Sequence, residues 1–248
     1  MGNRKYGLTN ITMVFEGRTL YRIIALKNFS DVKAGELGGW VSGIDNLSQE
    51  GNCWIYDEAK CMGNARMFDN SKMFNNSKMH GNSTMYNDSR MYDCSVMYNN
   101  STMYGHSIMY DHSIMYDHSE MHDHSEMHDN AVMHDHSEMY DNARMFDNSE
   151  VGGHSEMYGD SMLKDEEKLY GEVISKVDKF IDISNPKGKM VTGVLKDGEV
   201  LFNVGNLSEI NKEEFLDILY NGNEIIEESS SRKEYIKIIN IIILYLLG

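Results

Sequence analysis

A six-letter period governs this chain. From Ile55 to Met162 the sequence divides without insertion into 18 hexads, beginning IYDEAK, CMGNAR, MFDNSK and ending VGGHSE, MYGDSM. Position one is Met, Ile, Cys or Val, and position five is Ser or Ala throughout. An α-helix cannot hold this pattern on one side, because six residues advance it about 1.7 turns and the stripe drifts. A strand that bends every six residues can hold it. Positions five and one lie two apart and point to the same side, so they supply one small and one large side chain to a narrow interior. The bend falls at positions three and four, written Asp-Asn, Asp-His, Gly-Asn, Gly-His or Asn-Asp; Asn, Asp and His are the non-glycine residues that best tolerate positive φ. Three such strands close one triangular coil, and the hexads stack into about six coils at about 4.8 Å.

The hexads resemble the left-handed parallel β-helix of hexapeptide-repeat proteins, in which an aliphatic residue is followed four positions later by a small one. The resemblance covers residues 47–162. Met in place of Ile or Val is the departure, since a flexible thioether fills irregular space but specifies it weakly. The segment "GRTLYRIIALKNFSDVKAGELGGWVSGIDNLSQEGNCWIYDEA" resembles the N-terminal segment of hexapeptide-repeat proteins of phages and prophages, a likeness that implies no particular activity. The expected fold is mainly β, with an N-terminal β cap over 1–46, the β-helix over 47–162 and a small α+β domain over 163–248. In that last region Asp197-Gly198 reads as a hairpin turn. Asn211 reads as the N-cap of a helix ending near Gly222, and "RKEYIKIINIIILYLL" as a second, mostly buried helix.

Charge is concentrated. Of a formal net charge of −16, residues 109–162 supply three quarters, with 13 acidic residues and 1 basic, whereas residues 55–108 carry five of each. This argues against nucleic acid or an anionic membrane as a direct partner and favours a basic one. The apolar run "IIILYLL" is too short to span a bilayer. Three cysteines (Cys53, Cys61, Cys94) without a paired framework, and the start "MGNRKYGLTN" without an apolar signal segment, lead to an expectation of the cytoplasm.

The candidate functional residues are ladders with period 18. One is Asp93, Asp111, Asp129 and Asp147. Another, at position six, ends in Glu120, Glu138 and Glu156 and rises beside His118, His136 and His154. Imidazole and carboxylate suit a transition metal, but a linear array assures no closed shell, and no metal or cofactor is expected. Six His (106, 112, 118, 124, 136 and 154) occupy position four, as corner residues; His80, His122, His128 and His134 occupy position two, within an outward stack of rings. A third stripe, Lys60, Lys78, Val96, Ile114, Val132, Glu150, turns apolar in the middle coils and is suited to binding or self-association. Many hexapeptide-repeat proteins are trimeric acyltransferases that use a His base and typically extrude loops to form the pocket. Hexads without an extruded loop lead to the expectation that this chain is not an enzyme. It reads as a phage-type binding protein whose acidic coils engage a basic surface of a host protein, as a nucleic-acid mimic or inhibitor of a defence or DNA-handling protein. The alternatives are an acyltransferase or a structural phage component. A homo-oligomer is expected, formed through the C-terminal domain or the apolar stripe, and the many His beside carboxylates permit a pH response.

Overall fold

The computed structural model describes residues 4–166, 168–170, 180–184, 190–196, 199–204, 207–221 and 239. The hexads wind into a parallel β-solenoid of about seven turns. Each coil strand is short, joining position six of one hexad to position one of the next, and pairs in parallel with the strand 18 residues on, as Val96 with Ile114 and Met97 with Met115. Three faces result. The first carries Lys60–Cys61, Lys78–Met79, Val96–Met97, Ile114–Met115, Val132–Met133, Glu150–Gly152 and Lys168–Tyr170; the second runs from Arg66–Met67 to Glu156–Met157; the third runs from Trp54–Ile55 to Met162–Leu163. The coil thus continues one rung past the last hexad, where Leu169 pairs with Val151.

Hexad arithmetic explains the interior. Position one points inward, and every Met from Met67 to Met145 is fully buried, each worth about 1.5–3 kcal/mol of burial. Position-five serines are buried beside them. Most of their hydroxyls are satisfied locally, as where Ser113 Oγ donates to the Tyr110 carbonyl at 2.7 Å, so a narrow core accepts a polar atom at little cost; Ser149 and Ser161 near the far end are the exceptions. Position three takes the left-handed region in every hexad, with φ from 51° at Asp57 to 73° at Gly81. Position four takes it nowhere among the described residues. This corrects the expectation that both positions, His included, serve for left-handed tolerance. One left-handed residue turns the corner, and position four then gives its N–H to the coil above, as His118 does to the Asp135 carbonyl at 2.7 Å.

The N-terminal cap is a hairpin of β1 (Tyr6–Phe15) and β2 (Arg18–Ala25) that pairs antiparallel with β3 (Leu37–Val41). β3 in turn pairs in parallel with Lys60–Cys61, so it forms the first rung of the stack. Its glycines permit this, because a Cβ at Gly39 would lie 2.3 Å from Ile55. The open end of the first coil is plugged by buried polar groups. Lys5 Nζ donates to the carbonyls of Cys53 (3.0 Å), Glu50 (3.3 Å) and Gly51 (3.4 Å), and Tyr6 donates to the Leu47 carbonyl at 3.0 Å. Burial pushes the Lys5 ammonium below its ordinary range.

Beyond the coil, Phe180–Ser184, Met190–Lys196, Glu199–Val204 and Leu207–Ile210 form an antiparallel sheet, followed by helix α1 (Lys212–Asn221). Asn211 caps α1 as expected: its Oδ1 accepts the Glu214 N–H at 2.9 Å, and Glu214 accepts the Asn211 N–H in return at 3.1 Å, a capping box. The expected Asp197-Gly198 turn and, but for Ile239, the expected second helix lie outside the described residues.

Candidate functional site

Because positions five and one face inward, positions six and two face outward and line each face with two columns. Position two stacks its rings. On the second face Tyr104, His122, Tyr140 and Tyr158 follow one another at 4.9, 4.6 and 4.9 Å between centroids. On the third face His128 lies between Tyr110 and Phe146 at 4.7 Å from each. The expected stack is therefore present, with the position-two His inside it.

Position six places a carboxylate beside several of these rings. Glu120 Oε2 lies 3.2 Å from His122 Nε2, and Glu126 Oε2 lies 3.2 Å from His128 Nε2. Tyr140 donates to Glu138 and Tyr158 to Glu156. Burial, with Glu120 and Glu156 on either side, holds the Glu138 carboxyl above its ordinary value. In both His–Glu pairs the other ring nitrogen has no hydrogen-bond partner among the described residues. An imidazole oriented by a carboxylate, with one nitrogen free, is the geometry of a general base.

His134 differs. Position two of the next coil is Gly152, so the ring ladder on the first face lacks a rung, and a Cβ there would lie 2.3 Å from the His134 ring. His134 settles into the gap, its Nδ1 2.9 Å from Asp135 and its Nε2 3.1 Å from Glu150. Lys168 and Tyr170 close on the same carboxylate. Burial alone would raise the Glu150 carboxyl, but hydrogen bonds from Lys168, Tyr170 and His134 outweigh it and hold the group at about 2. With both nitrogens engaged, His134 is a clamp between coils rather than a base.

The two acidic ladders expected to bind a partner lie at different places on the coil. Asp93, Asp111, Asp129 and Asp147 stand at the corner joining the third face to the first, each with φ of 55–57°. Asp111 and Asp129 also use Oδ2 to accept the N–H of the next Asp up, at 3.3 and 3.2 Å, and Asp93 Oδ1 accepts from the Asn75 amide at 2.8 Å. Glu120, Glu138 and Glu156 lie on the second face, across the triangle from that corner. A single flat partner cannot meet both sets. His118, His136 and His154 stack at 4.9 and 5.0 Å; among the described residues no group of three or more His, Cys, Asp or Glu is arranged to hold a metal ion.

At the start of the second face an open polar cleft of about 220 Å³ is lined by Ser42, Asp45, Asn46, Asn64 and Arg66. The Arg66 guanidinium is exposed and heads the column Arg66, Thr84, Thr102, Glu120. Sequence reasoning had no signal for this cleft, because Ser42–Asn46 lie outside the hexads. No helix among the described residues is long and apolar enough to cross a membrane.

No protein-family model matches the chain. A stretch of 39 residues is 56% identical to the Uncharacterized acetyltransferase YdcK of Escherichia coli (strain K12), covering 16% of this chain and 12% of that protein. The chain thus matches about an eighth of its relative's length. The similarity is to a protein named for acyl transfer, and it overturns the expectation that the chain is not an enzyme. Uninterrupted hexads were insufficient ground for that expectation. An imidazole and a carboxylate that orients it need no extruded loop when, like those of His122 and Glu120, both rise from one rung.

Proposed function

We propose that the protein transfers an acetyl group from an anionic thioester donor to an amine on a basic partner, using the second face of the solenoid. The observation that carries this reading is the 56% identity over 39 residues to a protein named as an acetyltransferase. The face supplies suitable chemistry. Arg66 and its cleft offer a cation for the donor's phosphates. His122 stands three coils along the same face, about 14 Å away at the inter-strand spacing. Its free nitrogen takes the proton from the acceptor amine as the amine attacks the thioester carbonyl and forms the C–N bond; the C–S bond breaks, and the departing thiolate takes that proton from the imidazolium and leaves as the thiol, while Glu120 holds the ring. The basic surface expected from the charge belongs, in this reading, to the acceptor, which the position-six glutamates attract. Free Cys53, Cys61 and Cys94 support a reducing compartment such as a host cytoplasm.

The test is transfer of labelled acetyl from acetyl-CoA to a panel of polyamines and lysine-rich peptides. His122→Gln should lower kcat by at least about a hundredfold, Glu120→Gln less, and Arg66→Glu should raise the donor KM. No transfer by the native protein to any amine, or full activity in His122→Gln, overturns the proposal.

A further inference from the structure

The first face differs from the other two in what it leaves uncovered. Its position-six column reads Lys60, Lys78, Val96, Ile114, Val132, Glu150, with three consecutive apolar rungs. On the second face the same position turns from Thr102 to Glu120, and on the third a lone Ile108 stands between Arg90 and Glu126. Beside the apolar rungs stand Tyr98, Tyr116 and His134, stacked at 5.0 and 5.1 Å. Val96, Ile114 and Val132 remain partly exposed. The hairpin closes one end of this face, where the Phe15 ring lies 5.1 Å from Lys60 Nζ and 5.3 Å from Lys78 Nζ. The open face therefore runs from Lys78 to Glu150 and is centred on Ile114.

We propose that this face pairs two copies of the chain side by side and antiparallel, about a two-fold axis level with Ile114 and perpendicular to the rod. The column is self-complementary under that operation. Ile114 meets its own counterpart, Val96 meets Val132 of the second copy, and Lys78 meets Glu150. A parallel pair would instead set Lys78 against Lys78 and Glu150 against Glu150. The antiparallel pair also lays the neutral coils of each copy along the acidic coils of the other, rather than acidic against acidic. An isologous contact of this kind is the commonest way a chain closes on itself. Glu150 is already grouped with Lys168 and His134, so the charge pair sets direction, and the apolar rungs and rings carry the affinity. The inference is independent of acetyl transfer, which uses the second face.

Sedimentation of the full chain over a wide range of concentration tests it. A dimer is expected, with the dissociation constant raised at least about tenfold by Ile114→Arg. Ile114→Thr, a residue the repeat already uses at Thr84 and Thr102, gives the same direction with less disturbance of the fold, which circular dichroism checks. Lys78→Glu should weaken the dimer, and Lys78→Glu with Glu150→Lys should restore it. A monomer at every concentration, a trimer, a dimer indifferent to both Ile114 changes, or no recovery in the folded double reversal overturns the proposal.

Discussion

Asp129 allows the three physical contributions of a corner residue to be separated by substitution. It sits at φ 55°, its Oδ2 accepts the Asp147 N–H at 3.2 Å, and it stands one coil from both Asp111 and Asp147. Asp129→Ala keeps a Cβ at φ 55° but loses the short polar side chain that eases the left-handed region, up to about 1 kcal/mol, and forfeits a hydrogen bond worth about 1 kcal/mol, so the loss should be about 1–2 kcal/mol. Asp129→Gly relieves the Cβ of its left-handed cost, which offsets much of the lost hydrogen bond and backbone entropy, for a net loss of about 0–1 kcal/mol. Asp129→Asn keeps an acceptor and the tolerance for positive φ, and it removes like charge. Two carboxylates about 5 Å apart in water repel by about 0.8 kcal/mol. Salt near 0.1 M cuts this by about half, so with two neighbours the Asn variant should gain up to about 1 kcal/mol at low ionic strength and almost nothing in concentrated salt. Urea unfolding followed by circular dichroism at both salt concentrations reads the series. The expected order is Asn at or above the native residue, then Gly, then Ala. Ala as stable as Gly would refute the left-handed argument, and Asn below Gly would refute the claim that the carboxylate acts as corner and acceptor rather than as required charge.

Two further outcomes follow from the His134 cluster. The Glu150 carboxyl is held at about 2 against an ordinary 4.5, so its stabilisation is present above the unfolded value and is lost as pH falls from 4.5 towards 2. The unfolding free energy of the native protein should therefore exceed that of Glu150→Gln at neutral pH, by on the order of 1 kcal/mol after solvent screening, and urea titrations of the two proteins should converge in acid; a constant gap would contradict this. Gly152→Ala should cost about 1–3 kcal/mol by driving His134 off Glu150, and the cost should largely vanish in a His134→Ala background, as a double-mutant cycle would register.

Much of the coil was legible because its rule is strictly periodic. Small and large residues two apart, repeated every six, leave few other folds, and the inward Met and Ser follow from that spacing. The corner was legible only to within one residue. Asp and Asn occur at both positions three and four, so those two types did not tell which position carries the positive φ, although Gly, found at position three and never at four, was a hint. What broke the period was not legible. β3 reads LGGWV, outside the hexads, yet it is the first rung, and only its two glycines hinted at a close backbone approach. The His134 cluster joins residues 16, 18 and 20 apart through a missing ring at Gly152, and Tyr170 lies past the last hexad. The His122–Glu120 pair was visible as two ladders, but their alignment depends on positions two and six sharing one outward face, a step taken for stacking and not for acid–base chemistry.

The acidity that first suggested a basic partner has two separate origins. Of the 13 acidic residues over 109–162, seven are Asp at position three, where the backbone demands left-handed φ and the carboxylate caps the N–H of the next coil at several corners. Their charge accompanies a structural task that Asn75, Asn87 and several glycines perform elsewhere in the same stack. Five others are Glu at position six. There the coil imposes nothing, since Lys, Arg, Thr, Val and Ile hold the same position on other rungs. A residue type concentrated where the fold is indifferent is the better candidate for function, and Glu120 stands at that kind of position beside an imidazole with a free nitrogen. Charge on this rod that serves chemistry or recognition is therefore to be sought on the faces rather than at the corners.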